Sequence, residues 1–374
     1  MDTPHGSVAF VPHDLPAVTP LTPQIIRAND MALVALGQLG AIVPFLPNPE
    51  LITAPFMRRE AVLSSRIEGT NTEIEGLYLF ETEERESPGA LEDNPERQDA
   101  REVLNYVRAL EFGIERLPKI PICNRLLKEM HEKLMERVAS SRGKNKRPGQ
   151  FRNVQAYIGE DILTARYVAP PEGVVDVAMA QFEGDLNRKN ERIPALVKIA
   201  MLHYQFEAIH PFADGNGRLG RLLIALLLCS TGILPGPLLY ISAYFERNRS
   251  QYYELLWRVS RCGAWTDWIT FFLEGVSTEA SDAVKRAKEL CALREAYRLL
   301  PQTRRASAKT LELIDMLFNW PYVTVNRAAQ GLKMSYPGAQ KHVDNLVALG
   351  ILKPIGQRVR NRLYYAREIV SIAH

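Results

Sequence analysis

A chain of 374 residues that is 46% hydrophobic and 24% charged has the make-up of an ordinary folded protein and is long enough for two or three domains. Its net charge of +3 is too small to argue for nucleic acid by itself, and Cys123, Cys229, Cys262 and Cys291 form no CxxC pair of the kind that marks metal or redox sites. They read as reduced, structural thiols of a cytoplasmic protein; the N-terminus has no secretory signal, and the apolar run 219–228, broken by Arg221, is too short to cross a bilayer, so no membrane partner is expected.

Residues 1–25 are rich in proline and read as an extended arm lying over the body. Apolar spacing predicts helices over 26–45 and 53–68, the second with Thr53 as its cap, Pro55 in its first turn and Gly69 as its stop. The stretch 81–99 is acidic and punctuated by Pro and Gly, which reads as a surface connector. Helices resume at 101–115 and 124–136. A basic loop at 140–148 leads into short alternating runs on either side of 160–163, the pattern of a small β-hairpin. Two strongly helical runs follow, 193–209 and 219–228, and then an aromatic-rich segment at 240–256. From about 306 the pattern changes to three short helices (309–320, 323–332, 335–349) and a basic hairpin through 357–365. This last part nets +5, leaving −2 for the rest of the chain.

The loop between the two strong helices, His210-Pro211-Phe212-Ala213-Asp214-Gly215-Asn216-Gly217-Arg218-Leu219-Gly220-Arg221, carries the most chemistry per residue. A tight Gly-rich turn opening a helix aims backbone N–H groups and the positive end of that helix at one spot, which suits a phosphate. Arg218 and Arg221 are three apart, so both can face the same anion. Asp214 is a hard oxygen ligand beside them, and His210 at the lip is a candidate general base.

These residues resemble the signature of the Fic family, His-x-Phe-x-Asp/Glu-Gly-Asn-Gly-Arg-x-x-Arg, with every fixed position filled. The resemblance spans about residues 50–275. It implies a predominantly α-helical Fic-type core that transfers AMP from ATP to protein hydroxyls, with His210 taking the proton of the target hydroxyl. Asp214 would hold Mg²⁺ between the α- and β-phosphates, and Phe212 would anchor the loop. Gly215, Asn216, Gly217, Arg218, Leu219 and Gly220 would cradle the phosphates, and Arg221 would clasp the γ-phosphate. The hairpin corresponds to the family's flap, which would hold a protein substrate by backbone pairing. The segment 240–256 resembles the adenine and ribose pocket, with Asn248 and Tyr253 as lining residues; aromatic residues at helical spacing are equally consistent with a core.

Upstream, Ser64-Ser65-Arg66-Ile67-Glu68-Gly69 resembles the family's inhibitory motif, Ser/Thr-x-x-x-Glu-Gly/Asn. Ser64 and Glu68 are four apart on one helix face. The resemblance implies that Glu68 pairs with Arg221, takes the place of the γ-phosphate and turns the triphosphate out of line.

The expected organisation, resembling that of a bacterial Fic protein, is an N-terminal arm and helical region carrying the inhibitory helix (1–100), a Fic catalytic core (101–290) and a C-terminal module (306–374) resembling a winged helix-turn-helix. That module would either bind DNA, with the Ser335 helix in the major groove and Arg358, Arg360 and Arg362 on phosphates or in the minor groove, or serve as a docking or homodimerising unit. Alternatives to the transferase are a nucleotide-sensing regulator, a Fic-type transferase with another donor, and removal of AMP with Glu68 positioning water. An intact His210 argues against a mere sensor.

Overall fold

The computed structural model describes residues 1, 7–16, 21–43, 50–86, 94–138, 147–159, 161–188, 192–300, 307–355 and 362–373. Two long helices frame the body: α1 (Pro23–Ile42) lies along α11 (Trp265–Leu299), burying Ile25, Ala32, Leu36 and Leu39 at helical spacing. α1 starts where Thr22 Oγ1 accepts from the Ile25 amide and Pro23 occupies the first turn. By length and composition alone α1 could cross a membrane; here one face is packed on α11. The single 35-residue helix α11 had no clear start signal in the sequence.

α2 (Glu50–Ile67), α3 (Ile74–Glu86), α4 (Pro95–Arg116) and α5 (Asn124–Leu134) follow. Thr53 does not cap α2: the helix begins three residues earlier and Pro55 falls inside it, while Gly69, at φ +96°, ends the turn beyond it as expected. The acidic connector is shorter than its composition suggests. α3 continues to Glu86 and α4 begins at Pro95, capped by Asn94, because Glu81, Glu83 and Glu84 pair with arginines rather than facing only water. Residues 87–93, and 139–146 of the basic loop, lie outside the described residues.

β1 (Tyr157–Ile158) and β2 (Tyr167–Val168) form the expected antiparallel hairpin, with Tyr157 opposite Val168. The N-terminal arm reaches it: the Phe10 amide donates to the Val168 carbonyl at 2.9 Å, and Gln205 donates to the His13 carbonyl at 2.9 Å. α6 (Val175–Asn187), α7 (Ala195–Ile209), α8 (Asn216–Ser230), α9 (Ser242–Arg247) and α10 (Arg249–Cys262) complete the helical body. α7 and α8 are buried nearly all round, so the loop joining them sits at the centre of the molecule.

Beyond α11 come α12 (Ala308–Asn319), β3 (Tyr322–Thr324), α13 (Val325–Leu332), α14 (Tyr336–Ala348), β4 (Lys353–Ile355), β5 (Leu363–Tyr365) and α15 (Arg367–Ala373). The strands form one antiparallel sheet in the order β3-β5-β4. Arg358 and Arg360 lie outside the described residues. This C-terminal part is packed against the body. Arg294 of α11 makes a two-pronged bond to Asp315, and Tyr78 of α3 stacks on Tyr322 at 4.6 Å between ring centroids.

Candidate active site

The loop between α7 and α8 is held in shape by its own backbone and by three neighbours. His210 ends α7 in the left-handed region (φ +51°, ψ +59°), and Gly215 opens α8 at φ +79°. A non-glycine residue pays for such a conformation, so His210 is where strain is stored, as functional loops often do. Asn216 ties the loop across its mouth: its Oδ1 accepts from the Phe212 amide and its Nδ2 donates to the Phe212 carbonyl, both at 2.8 Å. Phe212 is fully buried, stacked on His131 at 3.9 Å and tilted against Phe151.

Two braces were invisible in the sequence. The His131 Nδ1 accepts from the Gly149 amide at 2.9 Å, which leaves Nε2–H to donate to the Asp214 carbonyl at 2.9 Å. Burial lowers its pKa to about 4, so this neutral tautomer holds across the physiological range. Arg152 donates from Nε to the His210 carbonyl at 2.8 Å, and from Nη1 and Nη2 to the Val154 and Pro170 carbonyls at 2.9 and 2.6 Å. One guanidinium thereby links the loop to both ends of the flap segment.

His210 faces a cavity of about 430 Å³. Burial first, and then the nearby Arg152 guanidinium, lower its pKa to about 4, against weaker opposing effects from the Glu207 carbonyl, Glu68 and Asp214. A neutral imidazole is the form able to accept a proton. Glu68, Gly217 and Arg221 line the same cavity, with Tyr157 and Ile158 of the flap and Tyr253 of α10 around it.

Arg221 is fully buried and bonds the end of α2. Its Nε donates to Ser64 Oγ at 2.8 Å, and its Nη2 donates to the Ser64 carbonyl at 2.8 Å and to Glu68 Oε1 at 2.7 Å. Burial opposes both charges, but each carries the other past that cost: the Arg221 pKa is raised and the Glu68 pKa lowered. A Cβ on Gly217 would overlap the Glu68 carboxylate, so glycine at that position admits Glu68 to the first turn of α8.

The two signature arginines do not share one partner. Arg218 donates to Glu102 of α4 at 2.6 Å and lies 3.6 Å from Asp214, while Arg221 bonds Ser64 and Glu68. The spacing of three puts them on neighbouring rows, yet half-buried carboxylates from different segments, Glu102 of α4 and Glu68 just beyond α2, claim each. Arg218 still lies near enough to help lower the Glu68 pKa. Among the residues expected to line a nucleotide pocket, Tyr253 does so, whereas the Asn248 amide bonds the Tyr244 carbonyl at 2.9 Å and Asn248 is not part of the cavity lining. Gly215, Asn216, Leu219 and Gly220 form the turn itself and its packing.

Glu207, one turn before His210, was missed. Its Oε1 is buried without a hydrogen-bond partner, lies where a Cβ on Gly220 would overlap it, and borders the cavity. Burial raises its pKa to about 8 despite the pull of Arg221. The available signal was a single carboxylate in an otherwise apolar helix face.

Among the described residues no group of three or more His, Cys, Asp or Glu could hold a metal ion. Asp214 is one carboxylate beside a phosphate-sized turn, which is the donor set of a hard cation brought in on phosphate oxygens rather than of a resident metal cage.

Comparison with known proteins matches residues 26–115 to the Fic/DOC family N-terminal domain and residues 121–228 to the Fic/DOC family domain. A protein adenylyltransferase Fic of Culex quinquefasciatus is 34% identical over 131 residues, covering 35% of this chain and 23% of the relative. That of Drosophila grimshawi is 31% identical over 166 residues, covering 44% and 31%. The chain thus matches a third or less of the length of these curated relatives. Among solved structures, a Fic family protein from Desulfovibrio desulfuricans G20 superposes with a TM-score of 0.58 at 21% identity over 94% of this chain and 98% of that one. Fic-1 from C. elegans gives a TM-score of 0.54 at 19% identity over 73% and 75%. At these identities the structures establish a shared fold.

Proposed function

We propose that this chain, which carries Fic/DOC family domains, is a protein adenylyltransferase that moves AMP from ATP to a hydroxyl of a target protein and is restrained by its own Glu68. The observation that carries this reading is one cavity bordered by a neutral His210, by Gly217 and Arg221 of the loop and α8, and by the flap. The insect relatives named protein adenylyltransferase support it at the level of the family.

The chemistry follows from the side chains present. ATP is the donor, its triphosphate lying against the N-terminal turn of α8 and its adenosine toward Tyr253. Asp214 would hold Mg²⁺ brought in with the triphosphate, and the ion would supply charge neutralisation. His210 accepts the proton of the target hydroxyl, whose oxygen attacks the α-phosphorus; the bond to the bridging oxygen of the β-phosphate breaks, and pyrophosphate leaves. The exposed edge of Tyr157 and Ile158 holds the target segment through main-chain hydrogen bonds, which leaves the choice among Ser, Thr and Tyr to the length of the side chain reaching His210. Glu68 on Arg221 occupies the place of the γ-phosphate and turns the α-phosphorus away from the incoming hydroxyl.

The helices and hairpin after residue 307 fit a winged helix-turn-helix. The packing of Trp320 and Tyr322 on α2 and α3 favours docking onto the body over DNA reading. Salt-sensitive binding of mixed-sequence duplex by the full chain would favour DNA instead.

The test of the donor and of the reaction is incubation with Mg²⁺ and ATP labelled at the α- or, separately, at the γ-phosphorus. Label retained on protein from the α position alone supports AMP transfer; retention from the γ position, or from neither, overturns it.

A further inference from the structure

Far from the loop, a cleft of about 1390 Å³ opens between α3 and the C-terminal helices. Arg85 of α3, Trp320 at the end of α12, Arg327 and Gln330 of α13 and Lys333 of the following turn line it, and no Asp or Glu does. Three guanidinium groups converge on the Trp320 ring, at 4.1 Å (Arg58), 4.2 Å (Arg85) and 3.9 Å (Arg327) from its centroid. One carboxylate serves the first two. Glu81 accepts from Arg58 Nε at 3.0 Å and Nη2 at 2.9 Å, and from Arg85 Nη2 at 2.8 Å.

Neither Arg327 nor Lys333 has a carboxylate partner among the described residues. Arg327 is half-buried between the exposed Arg85 and Lys333 on a wall without Asp or Glu, and like charges gathered there favour an anion between them. Burial above all, and then Arg85, lower the Arg327 pKa to about 10, against the opposing pull of Glu81. The wall also holds an Asn319 side-chain oxygen buried with no hydrogen bond, an amide whose donor and acceptor ends can be exchanged to meet a ligand. Guanidinium groups, a lysine and side-chain amides on one wall are the donors from which phosphate oxygens accept.

We infer that this cleft binds a small phosphate-bearing anion, bridged between Arg85 on one wall and Arg327 and Lys333 on the other. With α3 as one wall, the space admits a small ligand rather than a duplex laid across α13 and α14. The bridge also has a mechanical consequence. Arg85 shares Glu81 with Arg58, and Arg58 sits on α2, the helix that carries Ser64 to Arg221. An anion neutralising Arg85 and Arg327 therefore fastens the C-terminal module to the helix pair that ends at Glu68. Any effect on AMP transfer rests on the reading of Glu68 given above, whereas the binding itself does not.

The probe is radiolabelled inorganic pyrophosphate in equilibrium dialysis with the full chain, compared with Arg327→Gln/Lys333→Gln. Neither residue borders the cavity at His210, so uptake there is common to both proteins. The double variant is expected to lose one equivalent of bound pyrophosphate per chain, with affinity at that site weakened about tenfold or more. Its melting temperature without the anion should be unchanged or higher, because repulsion is relieved. Pyrophosphate should slow amide exchange at 64–69 more in the wild type than in the double variant, where only uptake at the His210 cavity remains. Equal uptake by the two proteins overturns the inference. So does a loss of uptake that accompanies a fall in melting temperature, or uptake abolished by duplex DNA at equal phosphate concentration. A chain that binds pyrophosphate in this way but retains no label from ATP would refute the adenylyltransferase and leave the cleft standing.

Discussion

Glu68 Oε1 lies 2.7 Å from Arg221 Nη2, although 153 residues separate the two in sequence. The contact joins the end of α2 to the first turns of α8, and Gly217 provides the room for it. A charge-assisted bond of this kind, with its acceptor partly exposed, contributes about 1.5–3 kcal/mol. That is enough to bias a switch and too little to lock it. Glu68→Gly should therefore raise the rate of self-labelling from ATP by about tenfold or more, as followed by label retained on the protein.

His210→Ala should abolish labelling while leaving ATP affinity nearly unchanged, because the imidazole is asked to move a proton rather than to hold phosphate. The loss expected for a positioned general base is roughly 10²–10⁴-fold in kcat. With its pKa held near 4, His210 is already neutral across the physiological range, so the basic form is not lost until pH falls to about that value. A rate that declined through about pH 6.5 would contradict the burial of the imidazole.

Arg152→Ala should mimic a partial loss of His210. Four carbonyls, including that of His210, accept from this side chain, so removing it frees both the loop and the base of the flap. The expected result is a fall in kcat larger than the rise in KM for ATP, measured in the Glu68→Gly background.

Glu207 makes the fold sensitive to alkali. Its folded pKa, about 8, stands above the unfolded value near 4.5, so the neutral carboxyl contributes its full stability only below about pH 4.5. That contribution is lost as pH rises through about 8. Glu207→Gln cannot titrate, and should raise the melting temperature more at about pH 8.5 than at about pH 5. An equal effect at both would mean that the carboxyl is already ionised in the fold.

Glu60→Ala should cost about 2–4 kcal/mol in unfolding free energy by denaturant titration. This buried carboxylate on α2 accepts from the Tyr106 hydroxyl of α4 at 3.0 Å and the Ser242 amide of α9 at 3.1 Å, with the Ser242 hydroxyl as a third donor. Three helices meet on it.

The loop chemistry was legible because it is contiguous: glycines, carboxylate, imidazole and arginines fall within twelve residues, and local spacing is what a sequence displays. The Glu68 motif was legible for the same reason, though only folding brings it to Arg221. What escaped was the support. His131, Arg152 and Glu207 act through tertiary contacts that no local pattern encodes, and Arg218 turned toward Glu102 because a helix 116 residues away supplied a carboxylate. Asn248 reads as a base contact by position, but its amide is taken by the Tyr244 carbonyl at the end of α9. Helix ends shifted where pairing overrode composition, as at 81–86, where charged residues that suggested a loop bond one another across helices.

The most direct measurement of the central claim is the initial rate at which label from the α-phosphorus of saturating ATP is fixed on protein by the wild type, by Glu68→Gly, and by Glu68→Gly/His210→Ala. The account predicts a rate about tenfold or more above wild type in the single variant and background in the double. Equal rates in wild type and Glu68→Gly, or label that survives the loss of His210, would contradict it.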